Sequence, residues 1–125
     1  MIGYVTLGTN DLARAAAFYD AVLGEIGAKR VMEMDRMIAW STKPGQPMLA
    51  AIQPFDEKGA TVGNGVMVAL NAGSPDAVQK VYAKAIELGG QDEGAPGPRG
   101  EGGFYGGYFR DKDGNKLVAF CMGGG

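Results

Sequence analysis

Histidine is absent from this chain, and several chemistries leave with it. No Ser-His-Asp or Cys-His arrangement can be assembled, and no imidazole is available as a general base near neutral pH. Zinc, iron and copper sites usually lean on imidazole or thiolate, and the chain offers a single thiol, Cys121. Any metal would have to be held by carboxylates, carbonyls and water. One cysteine also excludes an internal disulfide and fits a reducing cytoplasm. Basic runs are missing too, and the net charge is −2, so neither nucleic acid nor an anionic membrane surface is an expected partner. No apolar stretch approaches the roughly 20 residues of a membrane span. The sequence opens on strand-like residues rather than on a charged and apolar export signal, which again sets the expectation of a cytoplasmic protein.

What is present is a globular mixture, 46% hydrophobic and 21% charged in 125 residues, with 22 glycines. That length makes one compact domain, 1–125, or two half-domains that cannot stand alone. The chain says nearly the same thing twice. Adding 63 carries Val5 to Val68, Leu7 to Leu70, Asp11 to Ser74, Tyr19 to Tyr82, Leu23 to Ile86 and Gly27 to Gly90. A two-copy repeat implies two similar modules, about 1–55 and 64–122, that share a core or a cleft.

Strand parity follows from the repeat. Val5, Leu7, Val68 and Leu70 form an apolar set suited to the face beneath the helices. The opposite face then carries Tyr4 and Thr6 in the first module, and Met67 and Ala69 in the second. Asp11 caps a helix whose inward stripe is Leu12, Ala16, Tyr19 and Leu23. Ser74 before Pro75 starts the second helix, with Val78, Val81, Tyr82, Ala85 and Ile86 inward and Gly89-Gly90 as the stop. Short strands are expected over Arg30 to Met34, Met37 to Thr42, Met48 to Gln53, Phe104 to Arg110 and Lys116 to Met122. Asp111-Lys112-Asp113-Gly114-Asn115 joins the last two as a hairpin. The remaining strand is expected to be short, near Gln91 to Glu93. The Gly/Pro-rich segment from Gly94 to Gly103 then reads as a lid or as a long connection. Gly123 to Gly125 read as a frayed tail. The plan is β-α-β-β-β written twice, an α+β fold.

That plan resembles the vicinal oxygen chelate superfamily, the glyoxalase, bleomycin-resistance and extradiol-dioxygenase group. Two strings carry the resemblance: Tyr4-Val-Thr-Leu-Gly…Asp11-Leu…Phe18-Tyr19-Asp20…Leu23-Gly24, and Phe109-Arg-Asp-Lys-Asp-Gly-Asn-Lys-Leu117. They stand at opposite ends of a duplicated chain, and the resemblance runs from residue 2 to residue 122. It implies two βαβββ modules curled into a sheet-lined cleft, and usually a homodimer. It also implies metal ligands on four strands. The matching positions here are Tyr4, a residue within Leu49 to Ala51, Met67 and Val118. A phenol, aliphatic carbons and a thioether cannot together hold a hard divalent ion, so the expectation is a site with no metal and no cofactor.

Such a cleft, stripped of its ion, would be apolar and aromatic. Tyr4, Trp40, Met67, Tyr108, Arg110, Val118 and Phe120 are the candidate ligand-binding residues. Tyr108 stands ten residues before Val118, a spacing at which extradiol dioxygenases carry a cleft tyrosine. A three-residue hairpin loop would put Tyr108, Arg110, Val118 and Phe120 on one face, whereas a two- or four-residue loop would turn Phe109 inward. Met67 and Val118 within a sheet fit a core as well as a pocket. Arg36, Arg99 and Arg110 could meet an anion or remain solvated, with Arg99 expected to be solvated. Cys121, opposite in parity to Val118, is expected to be an inert buried thiol. The Gly102-Gly103 and Gly106-Gly107 pairs neither follow a strand nor open a helix, so they are not a phosphate loop.

Two functional classes follow. One is a small-molecule-binding protein that relies on aromatic stacking and apolar burial. The modest negative charge argues against a cationic drug such as bleomycin. The alternative is an enzyme of lyase, isomerase or dioxygenase type, metal-free or with an atypical metal site. Its acid-base groups would come from Tyr4, Tyr108, Glu33, Asp35 or Glu101. Glyoxalase-type isomerisation needs a Lewis acid and a carboxylate base, and Val118 stands where the resemblance implies that carboxylate.

Overall fold

The structure, a computed structural model, describes residues 1–123. Of the expected tail, Gly123 to Gly125, residues 124–125 lie outside the described residues. The first module runs β1 (Tyr4–Gly8), α1 (Leu12–Gly24), β2 (Lys29–Glu33), β3 (Met37–Ser41) and β4 (Met48–Ile52). The second repeats it as β5 (Val68–Asn71), α2 (Pro75–Glu87), β6 (Gln91–Arg99), β7 (Phe104–Arg110) and β8 (Lys116–Cys121). Each module makes one four-stranded mixed sheet, ordered β1-β4-β3-β2 and β5-β8-β7-β6. In each, the strand before the helix pairs parallel with the last strand of its module, and the other pairs are antiparallel.

The caps form as the side-chain chemistry dictates. The Asp11 carboxylate accepts the Arg14 N–H at 3.0 Å, and the Ser74 hydroxyl accepts the Ala77 N–H at 3.2 Å. Helix α1 buries Ala15, Ala16, Phe18, Tyr19, Val22 and Leu23, while α2 buries Val78, Val81 and Ala85. The helices touch each other and each covers one face of its own sheet. One continuous core therefore joins both modules, from Leu7 and Leu49 through the helices to Phe109, Leu117 and Cys121. Among the described residues, no strand of one sheet contacts a strand of the other.

A second tie between the modules runs through the β7–β8 hairpin. The Asp111 N–H donates to the Asn115 carbonyl at 2.9 Å, which leaves a three-residue loop with Gly114 at φ +93°. The buried Asp111 carboxylate accepts the backbone N–H groups of Asp113 and Asn115, the Asn115 side-chain amide and the Tyr19 hydroxyl of α1. Asn115 Nδ2 also donates to the Gly8 carbonyl at 2.9 Å, and Arg14 pairs with Asp113 at 2.8 Å. The Asp-x-Asp-Gly-Asn string is thus both a turn and a staple to the other module.

One expected element is corrected. The Gly/Pro-rich stretch is not a lid or an unstructured connection. Its first half continues β6 to Arg99, with Gly94 opposite Tyr108, Gly97 opposite Gly106 and Pro98 opposite Tyr105. Prolines are tolerated because β6 is an edge strand, where a missing N–H breaks no second ladder, and register shifts absorb the glycines.

Candidate functional site

Each sheet turns one face to its helix and leaves the other open. On the first open face, Tyr4 and Thr6 of β1 lie beside Met48 and Ala50 of β4, followed by Ala39 of β3 and Met32 of β2. Tyr4 is 59% exposed. Trp40 does not belong to this face. It is 1% exposed, tilted against Tyr19 of α1, and its Nε1–H donates to Asp20 at 2.8 Å. The expectation that Trp40 lines the cleft is therefore corrected: strand alternation places it with Ile38, under the helix. Arg30 closes this cluster by pairing with Asp20 at 2.7 Å. The Arg30 bond, joined by the one from Trp40, holds the Asp20 carboxyl below its ordinary range.

On the second open face, the register sets Tyr108 opposite Val118 and Arg110 opposite Lys116, with Phe109 on the helix side opposite Leu117. Tyr108, Arg110, Val118 and Phe120 thus share one face, as a three-residue loop requires. Val118 is nonetheless fully buried. The Phe104 ring stacks on Phe120 with centroids 5.4 Å apart and planes 3° apart. A β-carbon at Gly106 would lie 2.7 Å from the Phe104 ring and 3.2 Å from Val118 Cγ2. The chain's own aromatics thus crowd the place where Val118 sits.

Met67 precedes β5 and remains 42% exposed. It meets Arg110 and Lys116 in a pocket of about 490 Å³, walled on its other side by the linker residues Val62, Asn64 and Val66. Arg110 Nε donates to Glu93 at 3.1 Å and its Nη1 to the Gly114 carbonyl at 2.8 Å. The Lys116 ammonium and the Arg99 guanidinium stand 5.6 and 5.4 Å from the Tyr108 ring centroid, reaching it from strands on either side. Arg99, expected to be solvated, is half-buried and donates to the Ala95 and Gly97 carbonyls. Arg36 lies over the Phe55 ring and lines a separate, more polar pocket of about 440 Å³.

The structure brings together Met67 with Arg110, and Tyr108 with Val118. It does not bring Tyr4 beside Met67 within one pocket among the described residues. Sequence reasoning missed Lys116 and Phe104. Lys116 was within reach, because two residues before Val118 on one strand means the same face. Phe104, four residues before Tyr108, was within reach by the same rule, but its stacking on Phe120 over Gly106 was not.

Two modules of one βαβββ plan, each with a helix on one face of a mixed sheet and the other face open, define the class of protein. The chain belongs to the glyoxalase/bleomycin resistance protein/dioxygenase superfamily, whose family model matches residues 1–119. Among solved structures it is similar to a glyoxalase/bleomycin resistance protein from Albidiferax ferrireducens T118, at 32% identity and a TM-score of 0.90, over 98% of this chain and 99% of that one. A lactoylglutathione lyase from Agrobacterium tumefaciens shares 24% identity at a TM-score of 0.70, over 96% and 92% of the two chains. The fosfomycin resistance protein FosX from Mesorhizobium loti shares 18% at a TM-score of 0.68, over 98% and 92%. The last two likenesses are of fold. No curated protein matches the chain.

The family implies a metal, and the donor set at the matched positions decides whether one fits. Parity selects Ala50 from the Leu49 to Ala51 window, because it pairs with Thr6 and Ala39 on the open face. Tyr4, Ala50, Met67 and Val118 supply one oxygen between them, and Val118 is sealed by carbon. Among the described residues no three His, Cys, Asp or Glu side chains cluster closely enough to share an ion. These residues do not fit the group.

Proposed function

We propose that this chain is a small-molecule-binding member of its superfamily that does not use the family's metal. The observation that carries this reading is the contrast on the second open face: Val118 is buried beneath aromatic carbon, while Met67, Arg110 and Lys116 beside it surround an open pocket. A pocket of that size suits a small organic molecule. The reading includes a homodimer. The exposed apolar residues Tyr4, Met32, Val66 and Met67 lie on or beside the open faces, and a second copy would cover them and close the cleft. Placement in the cytoplasm rests on the single buried thiol. No helix among the described residues is long and apolar enough to cross a membrane.

The neutral fluorophore N-phenyl-1-naphthylamine tests the cleft. It should bind the wild type with blue-shifted emission and bind Ala69→Trp about tenfold more weakly, since Ala69 is exposed beside Val118 on that face. Absence of binding, or an unchanged affinity in the variant, would remove the reading. Metal analysis of protein purified without chelator adds an independent check. Near-stoichiometric nickel, zinc, iron or manganese would overturn the metal-free part. Light scattering coupled to gel filtration reads the dimer.

A further inference from the structure

We infer that the molecule taken up at the second open face is an organic oxyanion with an apolar or aromatic body, its charge held by Lys116 with Arg110. This rests on the cleft reading above and adds the chemical class of the ligand. Three cations converge on that face: Arg99, Arg110 and Lys116. Arg99 donates to three backbone carbonyls, those of Ala95, Gly97 and Pro98, and Arg110 shares its charge with Glu93. Lys116 has no carboxylate within 4.0 Å among the described residues. It is laid along the Tyr108 ring and opens into the pocket. Arg110 faces the same pocket, and neither of its two bonds uses Nη2.

The pocket is therefore a place with one uncompensated positive charge and a second that is half-compensated. Its other walls are Val62, Val66 and Met67, which offer carbon and a polarisable sulfur. The open face of the first sheet carries Tyr4, Thr6, Met32, Ala39, Met48 and Ala50, with Lys29, opposite Ser41, at its edge. A neutral ligand would leave the Lys116 ammonium to be partly desolvated without a partner, which is unfavourable. A carboxylate, sulfonate or phosphonate would pair with it by charge-assisted bonds while its body covers the Val62, Val66 and Met67 side chains.

A matched pair of dyes separates this inference from the reading beneath it. 8-Anilinonaphthalene-1-sulfonate is N-phenyl-1-naphthylamine with one added sulfonate. The sulfonate dye should bind about tenfold more tightly than the neutral one at low salt, and raising the salt should erode only that difference. Lys116→Gln should weaken the sulfonate dye about tenfold and the neutral dye much less. Lys116→Arg, which keeps the charge, should preserve both. Equal affinities for the two dyes, or a Lys116→Gln loss shared by both while Lys116→Arg binds normally, would overturn the oxyanion and leave the cleft standing. If neither dye binds, the cleft reading falls with it.

Discussion

At the scale of single residues, two polar clusters set the behaviour of the core. The Tyr19 hydroxyl reaches across the module boundary to the Asp111 carboxylate, and burial, followed by the Asp111 charge, holds its pKa well above the usual value. The phenol therefore stays a donor. We expect Tyr19→Phe to cost about 1–3 kcal/mol in denaturant unfolding, because it takes a donor from a buried carboxylate. A value near zero would mean that the remaining three donors to Asp111 suffice. The second cluster is Asp20 with Arg30 and Trp40. The folded carboxyl titrates below its unfolded value near 3.9, so its contribution is present above that value and is lost as pH falls through the depressed one. The group is 44% exposed, so the effect is small and screened. We expect Asp20→Asn to narrow the gap between urea midpoints at pH 7 and pH 3, and Trp40 emission to follow unfolding rather than ligand. Trp40 itself was not placed correctly by pattern. Its strand, Met37-Ile-Ala-Trp-Ser, is apolar on both faces, so alternation carries no sign there. In β1, Tyr and Thr against Val and Leu made the sign plain.

At the scale of elements, the repeat conceals different physics behind matching letters. Gly27 and Gly90 are equivalent by the 63-residue shift. Gly27 has φ +80° with open space around it, whereas a β-carbon on Gly90 would lie 2.7 Å from the Ala85 carbonyl oxygen and 2.9 Å from that of Arg110. Gly27→Ala meets only the left-handed penalty of about 1–2 kcal/mol. Gly90 is not left-handed, so Gly90→Ala meets a different cost: it must move backbone where α2 hands over to β6, and we expect a thermal-melt loss of about 3 kcal/mol, above that of Gly27→Ala. Similar losses would show that the backbone there yields. The adjacent pair Gly106-Gly107 divides in the same way. Gly106 makes room for Phe104 on the open face, and Gly107 for Pro96 and Tyr82 on the other. The helices, their caps and the last hairpin were legible, because capping residues and the 3.6-residue stripe are local signals. The nine-residue β6 was not, since glycine and proline lower strand propensity and only its edge position makes them harmless. Of the candidate site, the shared face of Tyr108, Arg110, Val118 and Phe120 was one of two alternatives open in the sequence, and the three-residue loop decides between them. The pocket beside Met67 was not, because its far wall is linker.

At the scale of the whole molecule, the question is whether duplication has kept a closable metal cleft beneath altered side chains. Tyr4→His, Met67→His and Val118→Glu together would return imidazoles and a carboxylate to the matched positions. Two features of the structure oppose metal binding by that variant. Val118 lies at 0% exposure with the stacked Phe104 and Phe120 on its face, so a glutamate there would be desolvated before any ion reached it. Burying such a charge unpaired costs several kcal/mol. Tyr4 stands on the first sheet and Met67 at the entry to the second, and the two sheets do not touch within one chain, so the imidazoles could meet a shared ion only across a second copy. We therefore expect the triple variant to be less stable by several kcal/mol and to bind nickel weakly, with light scattering still reporting the wild-type assembly. Adding Phe104→Ala should open the space over Gly106 and let nickel raise the melting temperature of the quadruple variant. If the triple variant alone bound nickel stoichiometrically and melted higher with it, the aromatic seal would be too weak to matter. The loss of metal chemistry would then lie in the ligand residues alone.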